Sequence, residues 1–394
     1  MSDDKENKDI PYGRQCIDDA DIQAVVDALK SDYITQGPRA SWFEDALKEV
    51  SGAQYAIFVS SGTAALHLTI LGLGLNEEHF GVVPAITFAA TANCLRYVGA
   101  DVRFCDTDSV SGIASAKHFE TAILGNERPH LSLKALLPVS MSGRVGELEA
   151  IRKLADSYDA FVIEDAAHSI GATYTNSQSV SFSSGSCSHS DAAIYSFHPV
   201  KHVCAGEGGA ILTNDVTLAK RVRALRSHGI EPVFKEGSRD RWKYAQSELG
   251  FNYRATEMQA ALGVSQLKKL DGFLESRRNL ARRYSDAFNC EVFHGILSNY
   301  HPDDGCSWHL YVVRFRDSNL REQAYDYLHS HGIKVQVHYI PVYHHPYYDK
   351  VDPGLFPGAE EFYGTCLSLP LYPSLSVEEQ DRVIDALRLF CQSI

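Results

Sequence analysis

Short apolar runs alternate with amphipathic stretches along the first two thirds of the chain. Residues 21–33 (DIQAVVDALKSDY) and 41–52 (SWFEDALKEVSG) place apolar side chains at helical spacing, and a glycine ends the second stretch. Strand-like apolar runs then recur, separated by further helical patterns, at residues 55–60, 80–88, 101–108, 134–143, 160–169, 192–197 and 209–214. This alternation predicts βαβ units and an α/β fold with a mostly parallel sheet that helices cover on both faces.

The pattern changes from about Leu270. A long charged helical stretch is followed by strand-like and helical patterns, at residues 274–288 (helix), 310–315 (strand), 320–332 (helix), 334–339 (strand) and 377–394 (amphipathic helix). These elements predict a smaller α+β unit. We therefore expect a large domain of residues 12–270 and a small C-terminal domain of residues 271–394.

Composition and charge describe an ordinary globular protein. Of the 394 residues, 44% are hydrophobic and 22% are charged, and the net charge of −13 is spread along the chain, which argues against a broad nucleic-acid surface. The nine cysteines are scattered singly, so neither a zinc site nor a disulfide framework is indicated, and we expect no metal. The polar, acidic first residues do not resemble a signal peptide, and no apolar run is long enough to span a membrane. We expect a cytoplasmic protein.

Two segments place polar groups where buried strands end. In VIEDAAHS, Glu164 and Asp165 follow an apolar run, either as caps of the next helix or as functional carboxylates. A partly desolvated carboxylate needs a cationic partner, and a protonated ring nitrogen would supply one. In SGTAALHLTILGLG, residues 61–74, a Ser-Gly-Thr turn opens an apolar helix after a strand. That arrangement presents free backbone N–H groups to an anion.

Lys201 lies between two apolar strands and beside glycine-rich backbone, in the segment YSFHPVKHVCAGEGGAILTND of residues 195–215. A lone lysine is usually a solvated surface group, but this setting favours partial burial and a lowered pKa, the state in which the amine forms a Schiff base. A lysine, a strand-end carboxylate and a phosphate-binding turn together indicate pyridoxal 5′-phosphate (PLP). Phe88, near a strand end, is a candidate to stack on the pyridine ring, although such a residue is more often part of the core. His168 is a candidate to bond the cofactor's 3′-oxygen, although a structural histidine is almost as common. The glycines lack G-x-G-x-x-G spacing, which argues against a dinucleotide site.

Seven ordered segments then resemble the DegT/DnrJ/EryC1/StrS sugar aminotransferases, from about Tyr12 to the C-terminus. They are SSGTAAL, PAITFAATAN, VIEDAAHSIGA, SFHPVKHVCAGEGGAILTND, RSHGI, GFNYRATEMQAALGVSQLKKLD and VQVHYIPVYHHPYY. The resemblance implies the fold type I of PLP-dependent aminotransferases and a homodimer with active sites at the subunit interface. The Ser-rich run 175–190 departs from the family pattern, being longer and less charged, and we predict a surface loop there.

The resemblance also implies roles for individual residues. Lys201 would form the Schiff base and Asp165 would pair with the pyridine nitrogen. Further cofactor contacts fall on Gly62, Thr63, Phe88, His168, Ser196 and, from the neighbouring subunit, Asn252. The sugar nucleotide would be held by Tyr12, Asp32, Tyr33, Ile34, Thr35, Ser61, Arg254, Gln336, Val337, His338 and Tyr339.

Within the family, the segments most resemble enzymes of pseudaminic acid biosynthesis that aminate C4 of a UDP-linked 4-keto-6-deoxy-N-acetylhexosamine. This implies L-glutamate as amino donor and UDP-4-amino-4,6-dideoxy-N-acetyl-β-L-altrosamine as product. Another nucleotide-sugar aminotransferase stays open as an alternative, acting at C3 or on a D-configured 4-keto sugar with a UDP, dTDP or GDP carrier. A dehydratase would replace the lysine with histidine, and a non-catalytic PLP-binding protein would lose it. Lys201 argues against both, while His198 and His202 are assigned structural roles.

Overall fold

The computed structural model describes residues 9–125, 130–233, 239–299, 305–348 and 350–394. The helices in these ranges are α1 (Asp19–Leu29), α2 (Pro38–Ser51), α3 (Gly62–Gly72), α4 (Ala89–Tyr97), α5 (Ala116–Leu124), α6 (Leu148–Asp156), α7 (Val216–Arg226), α8 (Glu257–Leu267), α9 (Leu270–Phe288), α10 (Ser318–Ser330), α11 (Pro357–Thr365) and α12 (Val377–Gln392). In this part of the chain, no helix has the length and apolar character needed to cross a membrane.

The strands in the described ranges are β1 (Tyr55–Val59), β2 (His79–Pro84), β3 (Asp101–Cys105), β4 (Ser132–Leu136), β5 (Phe161–Asp165), β6 (Thr173–Thr175), β7 (Ser181–Ser183), β8 (Ala192–Ser196), β9 (Gly209–Thr213), β10 (Ile230–Pro232), β11 (Tyr244–Gln246), β12 (Leu297–Asn299), β13 (Tyr311–Phe315) and β14 (Cys366–Leu369). Seven of them form the central sheet in the order β1-β9-β8-β5-β4-β2-β3. Only β9 runs antiparallel to its neighbours in this sheet. The predicted α/β class is therefore confirmed.

Side-chain caps fix where several helices begin. The Ser61 hydroxyl accepts a hydrogen bond from Ala64 N at 3.1 Å and so caps α3. Thr256 and Gln259 form a capping box at the start of α8. The first turn of α2 instead donates to a distant carboxylate, because Arg39 N lies 2.8 Å from the buried Glu257. This bond ties the start of α2 to the start of α8.

The C-terminal part of the chain has its own apolar core, built between Leu280 and Cys391 around the antiparallel sheet β12-β13-β14. The predicted boundary near residue 270 coincides with the start of α9, and the division into two domains stays a prediction. The N-terminal segment joins this smaller core, since Ile10 is fully buried in it and bonds the backbone of Gly332 and Lys334. Ile10 thus packs on the C-terminal core.

The strand predicted at residues 334–339 is wrong. This segment forms isolated bridges only, with Gln336 paired to Ser368. Its alternating pattern has a different cause: Val335 packs in the small core, whereas His338 and Tyr339 turn to line a cavity in the large unit. Because its side chains turn towards two different places, the segment does not continue as a regular strand.

The Ser-rich run is a surface loop only in part. It forms the hairpin β6–β7, whose tip is exposed, and then enters the interior, where Ser184 is fully buried. There the Glu164 carboxylate accepts hydrogen bonds from the hydroxyls of Ser184 at 2.7 Å and Ser140 at 3.0 Å, and from Gly185 N at 3.1 Å. Burial raises the pKa of Glu164, and these donors oppose that shift. Glu164 is therefore a structural group and not a helix cap.

Replacing Ser184 tests this network. We expect Ser184→Ala to lower the free energy of unfolding by about 1–3 kcal/mol, because a buried carboxylate loses a donor. The exposed Ser181 on β7 supplies a matched control, and Ser181→Ala should stay within about 0.5 kcal/mol of the parent protein. Denaturant unfolding measures both variants. Equal midpoints for the two variants would contradict the assigned role of Ser184.

Candidate active site

A cavity of about 450 Å³ lies at the carboxyl ends of β1, β2, β5 and β8. This is the edge of an α/β sheet where ligands bind. Many residues singled out from the sequence line it: Tyr12, Ser61, Gly62, Thr63, Phe88, Asp165, His168, Ser196, Lys201, His338 and Tyr339. The sheet thus brings the proposed lysine, carboxylate and phosphate turn to one place.

Asp165 is the last residue of β5 and is 7% exposed. The Thr91 hydroxyl donates to its Oδ2 at 2.7 Å, and Ala167 N donates to its Oδ1 at 3.2 Å. Burial raises the pKa of Asp165, while Thr91, Ala167 and the charge of Lys201 act in the opposite direction. Because neighbouring residues of a strand face opposite sides, Asp165 meets the cavity and Glu164 does not.

Lys201 lies in the turn between β8 and β9. Backbone bonds close this turn, from Phe197 N to Gly208 O and from Ala205 N to Phe197 O, each at 2.9 Å. Burial lowers the pKa of Lys201 to about 8, and the negative charge of Asp165 partly opposes that shift. An amine with this pKa is largely unprotonated in mildly alkaline solution, which makes it a usable nucleophile and proton carrier.

The Ser-Gly-Thr turn forms one wall of the cavity. Gly62 and Thr63 open α3, so helix geometry leaves their N–H groups without an intrahelical partner. A Cβ atom on Gly62 would lie 3.1 Å from Ser196 Cβ, and one on Gly209 would lie 2.4 Å from Ser61 C. The turn, the end of β8 and the start of β9 are therefore in close contact. Such a helix start binds phosphate.

Aromatic side chains cover another side of the cavity. The Phe88 and Tyr339 rings have centroids 6.0 Å apart, and Phe88 is 60% exposed. The Tyr339 hydroxyl lies 3.0 Å from Nε2 of His168. Burial holds the pKa of His168 well below its usual range, with the charge of Lys201 adding to this effect. His168 is thus a neutral ring held in place by a tyrosine.

Tyr12 and His338 lie together at the same cavity, with ring centroids 5.2 Å apart. His338 Nδ1 is 2.8 Å from the Ser368 hydroxyl, and burial lowers the pKa of His338 to about 3. The N-terminal segment and the segment before residue 340 therefore meet at the site. Both segments also pack on the C-terminal core, through Ile10 and Val335.

Other residues singled out from the sequence do not line this cavity. We call Asp32–Thr35, Asn252 and Arg254 the outer group. Thr35 pairs with Thr256, and Glu257 N donates to Ile34 O at 3.1 Å, so these residues lie beside the start of α8. Asp32–Thr35 and Asn252 are exposed. Gln336 and Val337 also lie outside the lining set.

Some residues that line the cavity were not identified as site residues from the sequence. They are Leu66, Thr87, Ala90, Val139, Ala167, Ile194, His198, Val200 and Glu207. Most are small or apolar side chains inside the quoted motifs, and nothing in their type distinguishes them from core residues. His198 is an exposed lining residue, whereas His202 is buried, with its Nε2 2.8 Å from Ser307 O, and does not line the cavity.

Comparisons with known proteins agree with this geometry. The DegT/DnrJ/EryC1/StrS aminotransferase family matches residues 15–388. This chain belongs to the DegT/DnrJ/EryC1/StrS aminotransferase family. The spore coat polysaccharide biosynthesis protein SpsC of Bacillus subtilis is 34% identical over 394 residues, covering 98% of this chain and 97% of SpsC. The UDP-4-amino-4,6-dideoxy-N-acetyl-beta-L-altrosamine transaminase of Campylobacter jejuni is 34% identical over 383 residues, covering 96% of each chain.

A solved structure gives the same answer for the fold. Helicobacter pylori PseC, an aminotransferase involved in the biosynthesis of pseudaminic acid, matches with a TM-score of 0.87 at 29% identity, over 98% of this chain and 100% of PseC. The family resemblance and the aminotransferase fold expected from the sequence are confirmed. The protein is a PLP-dependent sugar aminotransferase.

The cavity of this aminotransferase fits PLP. The N–H groups at the start of α3 suit a phosphate, and the Asp165 carboxylate suits a protonated pyridine nitrogen. His168 Nδ1 is a buried polar atom that has no hydrogen-bond partner among the described residues. A cofactor oxygen is a partner of the right kind. The N–H donors therefore suit the phosphate of PLP, the Asp165 carboxylate suits its ring nitrogen, and Lys201 suits the carbon that forms the Schiff base.

The pKa of Lys201 gives a prediction for the cofactor-free enzyme. Only the unprotonated amine captures PLP, so the rate of capture should rise about tenfold per pH unit and level off above about pH 8, whereas an ordinary lysine would continue to about pH 10. Rapid-mixing measurements of visible absorbance report the rate. Lys201→Ala should give no such absorbance, and a rate that still rises steeply at pH 9 would contradict the lowered pKa.

Proposed function

We propose that this aminotransferase moves the amino group of L-glutamate to C4 of UDP-2-acetamido-2,6-dideoxy-β-L-arabino-hexos-4-ulose. The product is UDP-4-amino-4,6-dideoxy-N-acetyl-β-L-altrosamine, and the reaction belongs to pseudaminic acid biosynthesis. The assignment of chemistry rests on Lys201, Asp165 and the start of α3 at Gly62, which line one cavity. The similarity to the Campylobacter jejuni and Helicobacter pylori enzymes supports the substrate.

When bound, PLP supplies the electron sink that stabilises negative charge at the reacting carbon. Lys201 binds the cofactor and moves the proton, first from Cα of glutamate and later to C4 of the sugar. Its pKa of about 8 suits both directions, because an effective acid–base group has a pKa near the working pH. Delivery of that proton from one side fixes the configuration at C4.

Other residues of the cavity would hold the cofactor. Asp165 would keep a proton on the pyridine nitrogen, and the N–H groups of Gly62 and Thr63 would bind the phosphate together with the Ser196 hydroxyl. Phe88 covers a ring face, since its side chain lies free of the core at the start of α4. His168 would bond the 3′-oxygen through Nδ1, which has no hydrogen-bond partner among the described residues.

We assign the sugar nucleotide to two groups of residues. Tyr12, Ser61, His338 and Tyr339 line the cavity and are placed to meet the sugar. Gln336, Val337 and the outer group apart from Asn252 would contact the nucleotide. Glutamate and sugar nucleotide use the cavity in turn, so ping-pong kinetics are expected. A cytoplasmic location is part of this proposal.

The outer group supports a homodimer with shared sites. Its residues are mostly exposed and lie apart from the cavity of their own chain. In a two-fold dimer, a patch outside one chain's cavity can complete the partner's cavity, and the reverse holds equally. Asn252 would then contact the PLP phosphate in the partner's cavity.

Another nucleotide-sugar aminotransferase is the second candidate. SpsC is as similar to this chain, at 34% identity, as the Campylobacter jejuni enzyme, and it is a spore coat polysaccharide biosynthesis protein. The alternative substrates are 3-keto sugars or D-configured 4-keto sugars on UDP, dTDP or GDP. They share the inner chemistry and differ in sugar contacts.

A substrate panel tests the proposal. Purified enzyme with glutamate should convert the UDP-linked L-arabino 4-keto sugar to the altrosamine product, identified by NMR. Lys201→Ala should lose at least about a hundredfold in rate, because it lacks the proton carrier. Turnover of a 3-keto or D-configured sugar in place of the L-arabino compound would replace the proposed substrate and leave the chemistry intact.

Mixing of inactive variants tests the shared sites. We expect Lys201→Ala and Asn252→Asp proteins to have little activity alone. After subunit exchange, hybrid dimers contain one intact site, so about one quarter of all sites should become active. Recovery of transamination in the mixture is the measurement.

The matched control pairs Lys201→Ala with Asp165→Asn. Both residues line the cavity of the same chain, so each site of that hybrid keeps one defect and no recovery is expected. Absence of recovery in the Asn252 mixture as well would place Asn252 outside the partner's site.

A further inference from the structure

Thr91 has a contact with the active site that the reaction described above does not use. It lies in the first turn of α4, three residues after Phe88, and is fully buried. Its hydroxyl donates to Asp165 Oδ2 at 2.7 Å, across 74 residues of sequence. This is the short distance typical of a hydroxyl bonded to an ionised carboxylate.

A second threonine extends this hydrogen-bond chain. The Thr87 hydroxyl lies 2.8 Å from the Thr91 hydroxyl and is also buried, at 2% exposure. A hydroxyl has a single proton to donate. Since Thr91 gives its proton to Asp165, Thr87 supplies the proton of the other contact. The chain Thr87, Thr91, Asp165 therefore directs hydrogen-bond donation towards the carboxylate.

The surroundings of Asp165 determine how much its ionised form depends on the hydrogen bond from Thr91. Burial favours the neutral form of Asp165, and the nearby Glu164 carboxylate is a like charge. Against these stand the charge of Lys201 and the donors Thr91 and Ala167. Ala167 is a backbone donor to the other oxygen, Oδ1. Thr91 is thus the side-chain hydroxyl that favours the ionised form.

A carboxylate and a pyridine nitrogen share one proton according to their relative basicities. If Asp165 becomes more basic, the proton moves from the ring nitrogen to the carboxylate, and the ring loses its power to accept electrons. A donor on Oδ2 lowers the basicity of the carboxylate. It also fixes the plane of the carboxylate relative to the cavity.

We propose that Thr91, supported by Thr87, is a positioning residue that holds Asp165 ionised and oriented, so that the proton stays on the cofactor's ring nitrogen. This inference rests on the role proposed for Asp165 and adds a residue to it. Thr91 does not itself line the cavity. Its effect on the reaction passes through Asp165.

The experiment uses holoenzyme loaded with PLP labelled with ¹⁵N at the ring nitrogen. The ¹⁵N chemical shift distinguishes a protonated from an unprotonated ring nitrogen. We expect the parent enzyme to give the protonated value and Asp165→Asn to give the unprotonated value. Thr91→Val removes the hydroxyl at nearly constant shape, and we expect its shift to move towards the unprotonated value.

The rate of the glutamate half-reaction should fall about tenfold or more in Thr91→Val, the usual effect of losing a hydrogen bond to a charged group. Thr91→Ser keeps the hydroxyl and should restore both the shift and most of the rate. Thr69→Val is the matched control, since Thr69 is fully buried and its hydroxyl donates only to the Ala65 carbonyl at 2.8 Å within α3. That variant should retain the parent shift.

The outcomes separate the two ideas. If Asp165→Asn leaves the ¹⁵N shift unchanged, the proposed role of Asp165 fails. If Asp165→Asn moves the shift and Thr91→Val does not, the inference about Thr91 is overturned and the role of Asp165 stands. Thr91→Ala gives the same comparison should the valine variant not fold. A shift that moves equally in Thr69→Val would also overturn the inference.

Discussion

The burial of two adjacent carboxylates at the end of β5 is the constraint on which the site depends. An unpaired buried charge is costly, so each carboxylate must be supplied with donors. Glu164 receives them from Ser184 and other groups on one side of the strand, and Asp165 from Thr91 and Ala167 on the cavity side. The end of β5 thereby connects the structural hydrogen bonds of Glu164 to those of Asp165 at the cavity.

The sheet explains why these donors can converge. Parallel strands bring their carboxyl ends to one edge, and the loops that follow them are free to turn into the cavity. The antiparallel strand β9 is what returns the chain after Lys201, and Gly209 at its start lets the backbone pass within contact of Ser61. A side chain at Gly209 would separate the lysine-bearing turn from the phosphate turn. The lysine and the helix start are thus held together by backbone packing.

The sequence was informative where one short segment contains both a strand and the turn after it. Lys201, Asp165 and the Ser-Gly-Thr turn could be recognised in that way, and the α/β class followed from the same pattern. Thr91 and Ser184 could not, because their partners are distant in sequence and only tertiary packing brings them together. The strand predicted at residues 334–339 was wrong for a related reason. Alternation indicates which side chains are buried, but not which part of the structure they pack against.

The placement of residues also separates the cofactor chemistry from the expected nucleotide contacts. Groups that handle protons and the cofactor lie on the rigid edge of the central sheet, where donors such as Thr91 fix them. Groups expected to meet the nucleotide lie beside the start of α8, fixed through Glu257, which bonds the first turn of α2. Because the Thr91–Asp165 and Glu257 hydrogen bonds share no residue, the outer surface can change to accept another nucleotide sugar while the Asp165 network keeps its geometry.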